Sequence, residues 1–122
     1  MSAIKLEHVP LLEGASNYPE WSRLLSMTLR SSGLWGYVQG DGDKTSPWPI
    51  VPKPVVSATS KDSEFESFRK WYQEDSKARE MVERRMVPTV RNHLSQDPLT
   101  TSRELWESLR NLYARTDVAS QF

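Results

Sequence analysis

Cysteine is absent from this chain of 122 residues, which excludes disulfides and every zinc or redox site built on sulfur, and fits a reducing compartment. Histidine is nearly absent. His8 and His93 lie far apart in sequence, and neither has the partner four residues away that a metalloprotease helix uses. Charge of one sign is not in excess either. Sixteen Lys and Arg face sixteen Asp and Glu, and a division at residue 61 gives +6/−5 before it and +10/−11 after. A nucleic-acid domain usually shows a basic face, so that class is disfavoured. No apolar run approaches the roughly 18 residues of a membrane span, and the opening segment lacks the apolar stretch of a signal peptide. The expectation is a single domain in the cytosol, with neither membrane nor small-molecule partner.

Aromatic residues are plentiful. Five Trp, four Tyr and three Phe stand in a chain of otherwise modest apolar content, so rings are expected to hold a small core. Residues 1–16 show no clean period and read as an N-terminal arm, in which Val9, Leu11 and Leu12 flank Pro10 and can pack onto the domain. From Asn17 to about residue 116 the pattern is helical. Asn17 with Glu20 suggests a capping box, and Pro19 suits a first turn. Trp21, Leu24, Leu25 and Thr28 then follow at helical spacing, and Gly33 reads as a left-handed stop, giving a helix over about 18–32. Leu34, Trp35, Tyr37 and Val38 suggest one buried turn.

Residues 40–60 carry four prolines and two glycines and predict a long exposed loop, partly polyproline II, with Trp48 expected to fold back on the domain. A long helix follows, capped at Asp62 or Ser63. Its apolar positions Phe65, Phe68, Trp71, Tyr72, Ala78, Met81, Val82 and Met86 recur at three and four, while Glu66/Lys70 and Glu80/Arg84 are spaced for outer ion pairs. Pro88 is expected to open a helix of two turns, and Thr101 with Glu104 forms a capping box before the stripe of Leu105, Trp106, Leu109, Leu112 and Tyr113. Residues 117–122 read as the start of a linker to a further domain. The class is all-α, a bundle of about five helices, with Trp21, Trp71 and Trp106 expected to meet in one core.

Catalytic and ligand motifs fail on spacing. The stretch from Gly40 to Thr45 lacks the glycine directly before Lys-Thr that a phosphate loop needs, and places Asp43 there instead. An EF-hand reading puts Ser46 and Pro52 where glycine and a bidentate Glu belong. Glu74 and Asp75 are expected to be solvated on a charged helix. Pro49-Ile50-Val51-Pro52 satisfies a bare PxxP, but a spacer is the better reading. No catalytic residue, metal ligand or cofactor site is assigned.

What specifies the chain further is the order of its marks: Leu12-x-Gly14-x-x-Asn17-Tyr18-x-x-Trp21, then Gly33-Leu34-Trp35, then Trp71, Asp75 and Ala78, then Leu105-Trp106-x-x-Leu109 and Tyr113. This ordered set resembles the Gag polyprotein of copia-type LTR retrotransposons and covers roughly residues 11–114. The loop over 40–60 looks long and proline-rich for that family, and Thr101-Ser102-x-Glu104 departs from its Thr-Ala-x-Glu. The resemblance implies the fold of a retroviral-capsid N-terminal domain and a structural role: homo-oligomeric Gag–Gag contacts, weak in the isolated domain, that build a virus-like particle shell. It also implies that RNA is met through regions beyond this chain. A domesticated, monomeric adaptor holding a peptide or partner helix is the alternative.

Overall fold

The computed structural model describes residues 5–39 and 47–114. The first four residues of the arm, residues 40–46 of the expected loop and the linker expected from 117 lie outside the described residues. Helix α1 spans Tyr18–Ser31, with Pro19 in its first turn. Asn17 precedes it, but the expected capping box does not form. The Asn17 side chain turns back to the arm, accepting from the Glu13 N–H at 3.0 Å and donating to the Leu11 carbonyl at 2.8 Å, so it shapes the entry rather than closing the helix. Trp21, Leu25 and Leu29 point inward and are fully buried. The helix stops as expected. Gly33 adopts φ 74°, its N–H bonds to the Arg30 carbonyl, and the Leu34 N–H reaches back to Leu29 at 2.9 Å. This left-handed turn drives Leu34 into the core.

The single turn α2, Trp35–Val38, follows at once. Its Gly36 matters for a reason the sequence did not flag. The Val51 N–H donates to the Gly36 carbonyl at 2.9 Å, and a Cβ on Gly36 would strike the Pro49 carbonyl oxygen and the Val51 side chain. The described part of the proline-rich loop is exposed at most positions, as expected, yet it is docked rather than a bare spacer. The Gln39 side chain donates to the Trp48 carbonyl, and the Arg30 guanidinium lies 5.4 Å from the Trp48 ring centre and 4.9 Å from that of Trp35. Trp48 thus folds back on the domain and remains 38% exposed. Gly36→Ala is expected to expel the segment around Pro49–Val51 while leaving the helices in place. Limited proteolysis would then cut within residues 47–56 markedly faster than in the parent protein, with the helical circular dichroism retained; equal cleavage rates would refute the contact.

Helix α3, Asp62–Arg84, is the longest element. The Glu64 carboxylate accepts from the Lys61 N–H at 2.9 Å and closes its first turn. Trp71, Asp75, Ala78 and Val82 recur every three or four residues on its buried face, with Met81 beside them. No residue of the first nine, 62–70, is buried, so this half extends past the core. Of the two expected outer ion pairs, Glu80–Arg84 forms, loosely at 3.7 Å. Trp71 is buried but does not join Trp21 and Trp106. It packs against Tyr37 and Tyr72 at 5.8 and 5.3 Å between ring centres and donates its indole N–H to the Val51 carbonyl at 3.2 Å. The expected single tryptophan core is therefore two clusters, because Trp71 lies toward the outer end of α3, where the loop rather than α1 covers it.

After α3 the chain runs extended through Met86 and pairs with the arm. The Leu12 N–H donates to the Arg85 carbonyl at 2.9 Å and the Val87 N–H to the Leu12 carbonyl at 3.1 Å, a single parallel bridge. Leu6, Val9 and Leu12 are buried, so residues 6–12 are part of the core rather than an appendage. Helix α4, Pro88–Arg91, opens at Pro88 as expected but has one turn, not two. Asn92 and His93 continue it only as a bonded turn, and the Gln96 amide caps the Arg91 and Leu94 carbonyls, which ends the run. Helix α5, Ser102–Leu109, carries the predicted capping box between Thr101 and Glu104 and continues into a π turn, Arg110–Ala114. The result is a small all-α bundle.

Candidate interaction surface

The marks singled out in the sequence converge. Leu12, Trp21, Leu34, Ala78, Leu105 and Leu109 are each at most 3% exposed and belong to one hydrophobic cluster. Trp21 stacks on Trp106 at 5.6 Å with 23° between planes, and Trp35 meets Trp106 edge-on at 5.6 Å. Tyr18 bridges Trp21 and Tyr113 at 6.1 and 6.0 Å. The two ends of the motif, Tyr18 and Trp21 on one side and Trp106 and Tyr113 on the other, thus share one aromatic stack. The Trp21 indole N–H is satisfied by the Arg85 carbonyl at 2.6 Å. Trp71 stands apart, as described, and Gly33 and Asn17 act through backbone and entry geometry. A Cβ on Gly14 would meet open space, but its φ of 158° is a backbone conformation that side chains rarely adopt, which favours glycine there.

Asp75 is the clearest correction. Expected in solvent, it is 2% exposed, and its carboxylate accepts from the Ser102 N–H at 3.1 and 3.2 Å and from the Ser102 hydroxyl at 2.6 Å. Burial pushes the carboxyl up, while the two Ser102 bonds oppose the shift. A serine hydroxyl on a carboxylate resembles part of a nucleophile pair, but Ser102 is fully buried and both bonds close the first turn of α5. The pair is a second cap, supplied across the fold. The spacing Trp71, Asp75, Ala78, Val82 could have revealed it, since position 75 falls on the apolar stripe.

Two arginines also escaped the sequence reading. Arg103 donates to the carbonyls of Gln39, Gly36 and Val51 at 2.8, 2.9 and 3.2 Å, tying α5 to α2 and the loop. Arg79 donates to the Asp97 and Thr100 carbonyls at 2.9 and 2.7 Å and fixes the turn before α5. Both are structural clamps.

No protein-family model, curated protein or solved structure matches this chain. Function has to be read from the surfaces themselves. Among the described residues no group of three or more acidic or histidine side chains is placed to hold a metal, and no helix is long and apolar enough to cross a membrane. His8 is engaged with the Thr28 hydroxyl at 2.7 Å and His93 is exposed. A concavity of about 980 Å³ lies between the arm and the end of α3 and is lined by both signs of charge, among them Lys5, Glu7, Glu80, Glu83, Arg84 and Arg91. The large exposed apolar side chains come from separate segments: Leu11, Met27, Trp48, Val55, Leu99 and Leu112. Among the described residues α3 is the longest helix, and its outer side is exposed along its length.

Proposed function

We propose that this chain is a structural building block that works by associating with copies of itself, as the N-terminal capsid half of a copia-type Gag. The observation that carries this reading is the convergence of the ordered marks. Leu12, Tyr18, Trp21, Leu34, Trp35, Leu105, Trp106, Leu109 and Tyr113 are spread along the whole chain, yet pack in or against one cluster. A motif spent on a core leaves the surface to supply function, and for a shell protein that function is contact between copies. Each contact is weak alone, and the lattice is held by their number. RNA is met by regions of Gag outside this chain.

The test is sedimentation of the chain joined to its downstream Gag segment, over a range of concentrations, with and without RNA. Species larger than dimers are expected to grow with concentration, whereas the isolated chain remains a monomer or small oligomer at micromolar concentration. Monomers across the whole range, together with tight binding to one foreign peptide, would replace the capsid reading with that of a helical adaptor.

A further inference from the structure

We infer that the outer face of α3 is a two-fold self-pairing surface, on which α3 of a second copy lies antiparallel with the symmetry axis at position 75. This names the surface for the self-association proposed above and rests on that reading. Glu66, Lys70, Gln73, Lys77, Glu80 and Arg84 are spaced by alternating fours and threes, which places them on one stripe along the helix. All six are exposed, and the stripe lies opposite Trp71, Asp75, Ala78 and Val82, which face the core. The stripe runs about 27 Å, at 1.5 Å per residue; from Gln73 to Arg84 it is backed by the buried side of α3, and Glu66 and Lys70 stand on the part of the helix that extends past the core.

The stripe is its own complement when inverted. With the axis at 75, Glu66 meets Arg84 of the second copy, Lys70 meets Glu80, and Gln73 meets Lys77, and the symmetry makes each pairing twice. Neighbouring registers are penalised. An axis at 73 sets Glu66 against Glu80, and an axis at 77 sets Lys70 against Arg84; a parallel arrangement in register sets each charge against itself. Lys77 is held by Glu74 of its own helix at 2.9 Å, but with 60% of its side chain exposed that pair can be exchanged for one across the interface. Glu80 and Arg84 touch only loosely within their own helix, at 3.7 Å with 67% and 57% of the side chains exposed, and such exposed pairs contribute little alone. Beside the stripe, Phe68 and Tyr72, 5.0 Å apart between ring centres, line with Gln73 and Ser76 a shallow recess of about 380 Å³. Its two rings lie on the flank of α3 toward Trp71, so the pairing itself rests on the charged stripe.

The experiment is sedimentation of the full chain over rising concentration at low ionic strength, about 0.01 M, where screening extends only beyond roughly 30 Å. A monomer–dimer equilibrium weakened by added salt is expected. Glu66→Arg and Arg84→Glu each set like charges together twice in the dimer, so each should raise the dissociation constant roughly tenfold. The double variant E66R/R84E restores opposite charges and should return the dimer to near its original strength. The chain has no cysteine of its own, so mixed Gln73→Cys and Lys77→Cys proteins should form the hetero-disulfide faster than either forms a homodimer. If association persists but neither reversal weakens it, or the double variant fails to restore it, this surface is wrong and the self-association reading survives. If neither the chain nor its extended form associates at any concentration, both readings fall.

Discussion

Truncation of Trp106 to alanine should remove about 3 to 5 kcal/mol of stability, the usual cost of deleting a large aromatic side chain from a core. The site gives it no way to collapse. Trp106 is 8% exposed, stacked on Trp21 and met edge-on by Trp35, so its loss uncovers one face of each ring and opens a void between α1, α2 and α5. A domain of this size has a margin of about 5 to 15 kcal/mol, so the variant should melt far below the parent or be unfolded at room temperature. Trp106→Phe keeps a ring in the stack and should retain most of the cooperative transition. A melt of Trp106→Ala within a few degrees of the parent would remove Trp106 from the core and undo the packing described.

Asp75→Ala is the second large effect, and it acts through polar groups. The substitution leaves the buried Ser102 N–H without its acceptor, at about 1 to 3 kcal/mol, and leaves the hydroxyl only the Tyr37 carbonyl at 3.4 Å. A loss of about 3 kcal/mol is expected by denaturant titration, with the helical signal of α5 reduced. Asp75→Asn retains one acceptor oxygen and separates the bond from the charge. Because burial raises the folded-state pKa of Asp75 above its unfolded value, its contribution is fully present below about pH 4 and declines as pH rises through the folded value. The deficit of Asp75→Asn relative to the parent should therefore be largest in acid and narrow toward neutrality. A deficit that grows as pH rises would mean that the ionised carboxylate is favoured by the fold.

Much of the architecture was legible because it is local. The spacing of Trp21 and Leu25, the glycine at 33 and the Thr101–Glu104 box each act within one or two turns, and each appears where its chemistry demands. What escaped is long-range. Asn17 has the right residue type for a cap, but tertiary placement of the arm gave its amide better partners at Leu11 and Glu13. Asp75 was judged by its charged neighbours rather than by its position on the stripe, and no local rule says that a serine 27 residues on will meet it. The docking of the loop on Gly36 and Arg103 consists of bonds to backbone carbonyls, which carry no residue signature. The outer face of α3 was visible as an ion-pair pattern, but its inverted symmetry matters only once the structure shows which side of the helix is left uncovered.

The pairing of the arm with the segment after α3 bears on the order in which the chain can fold. The Arg85 guanidinium grips the Val9 carbonyl across 76 positions of sequence, and Trp21 reaches the Arg85 carbonyl across 64. Closing such distances costs chain entropy before any contact compensates for it, and mean sequence separation of contacts is what slows folding. As the chain leaves the ribosome, α1 emerges with Trp21 exposed, and the Trp106 ring that stacks on it arrives only with α5. For the time it takes to synthesise that stretch, the Trp21 face of α1 is open to its neighbours.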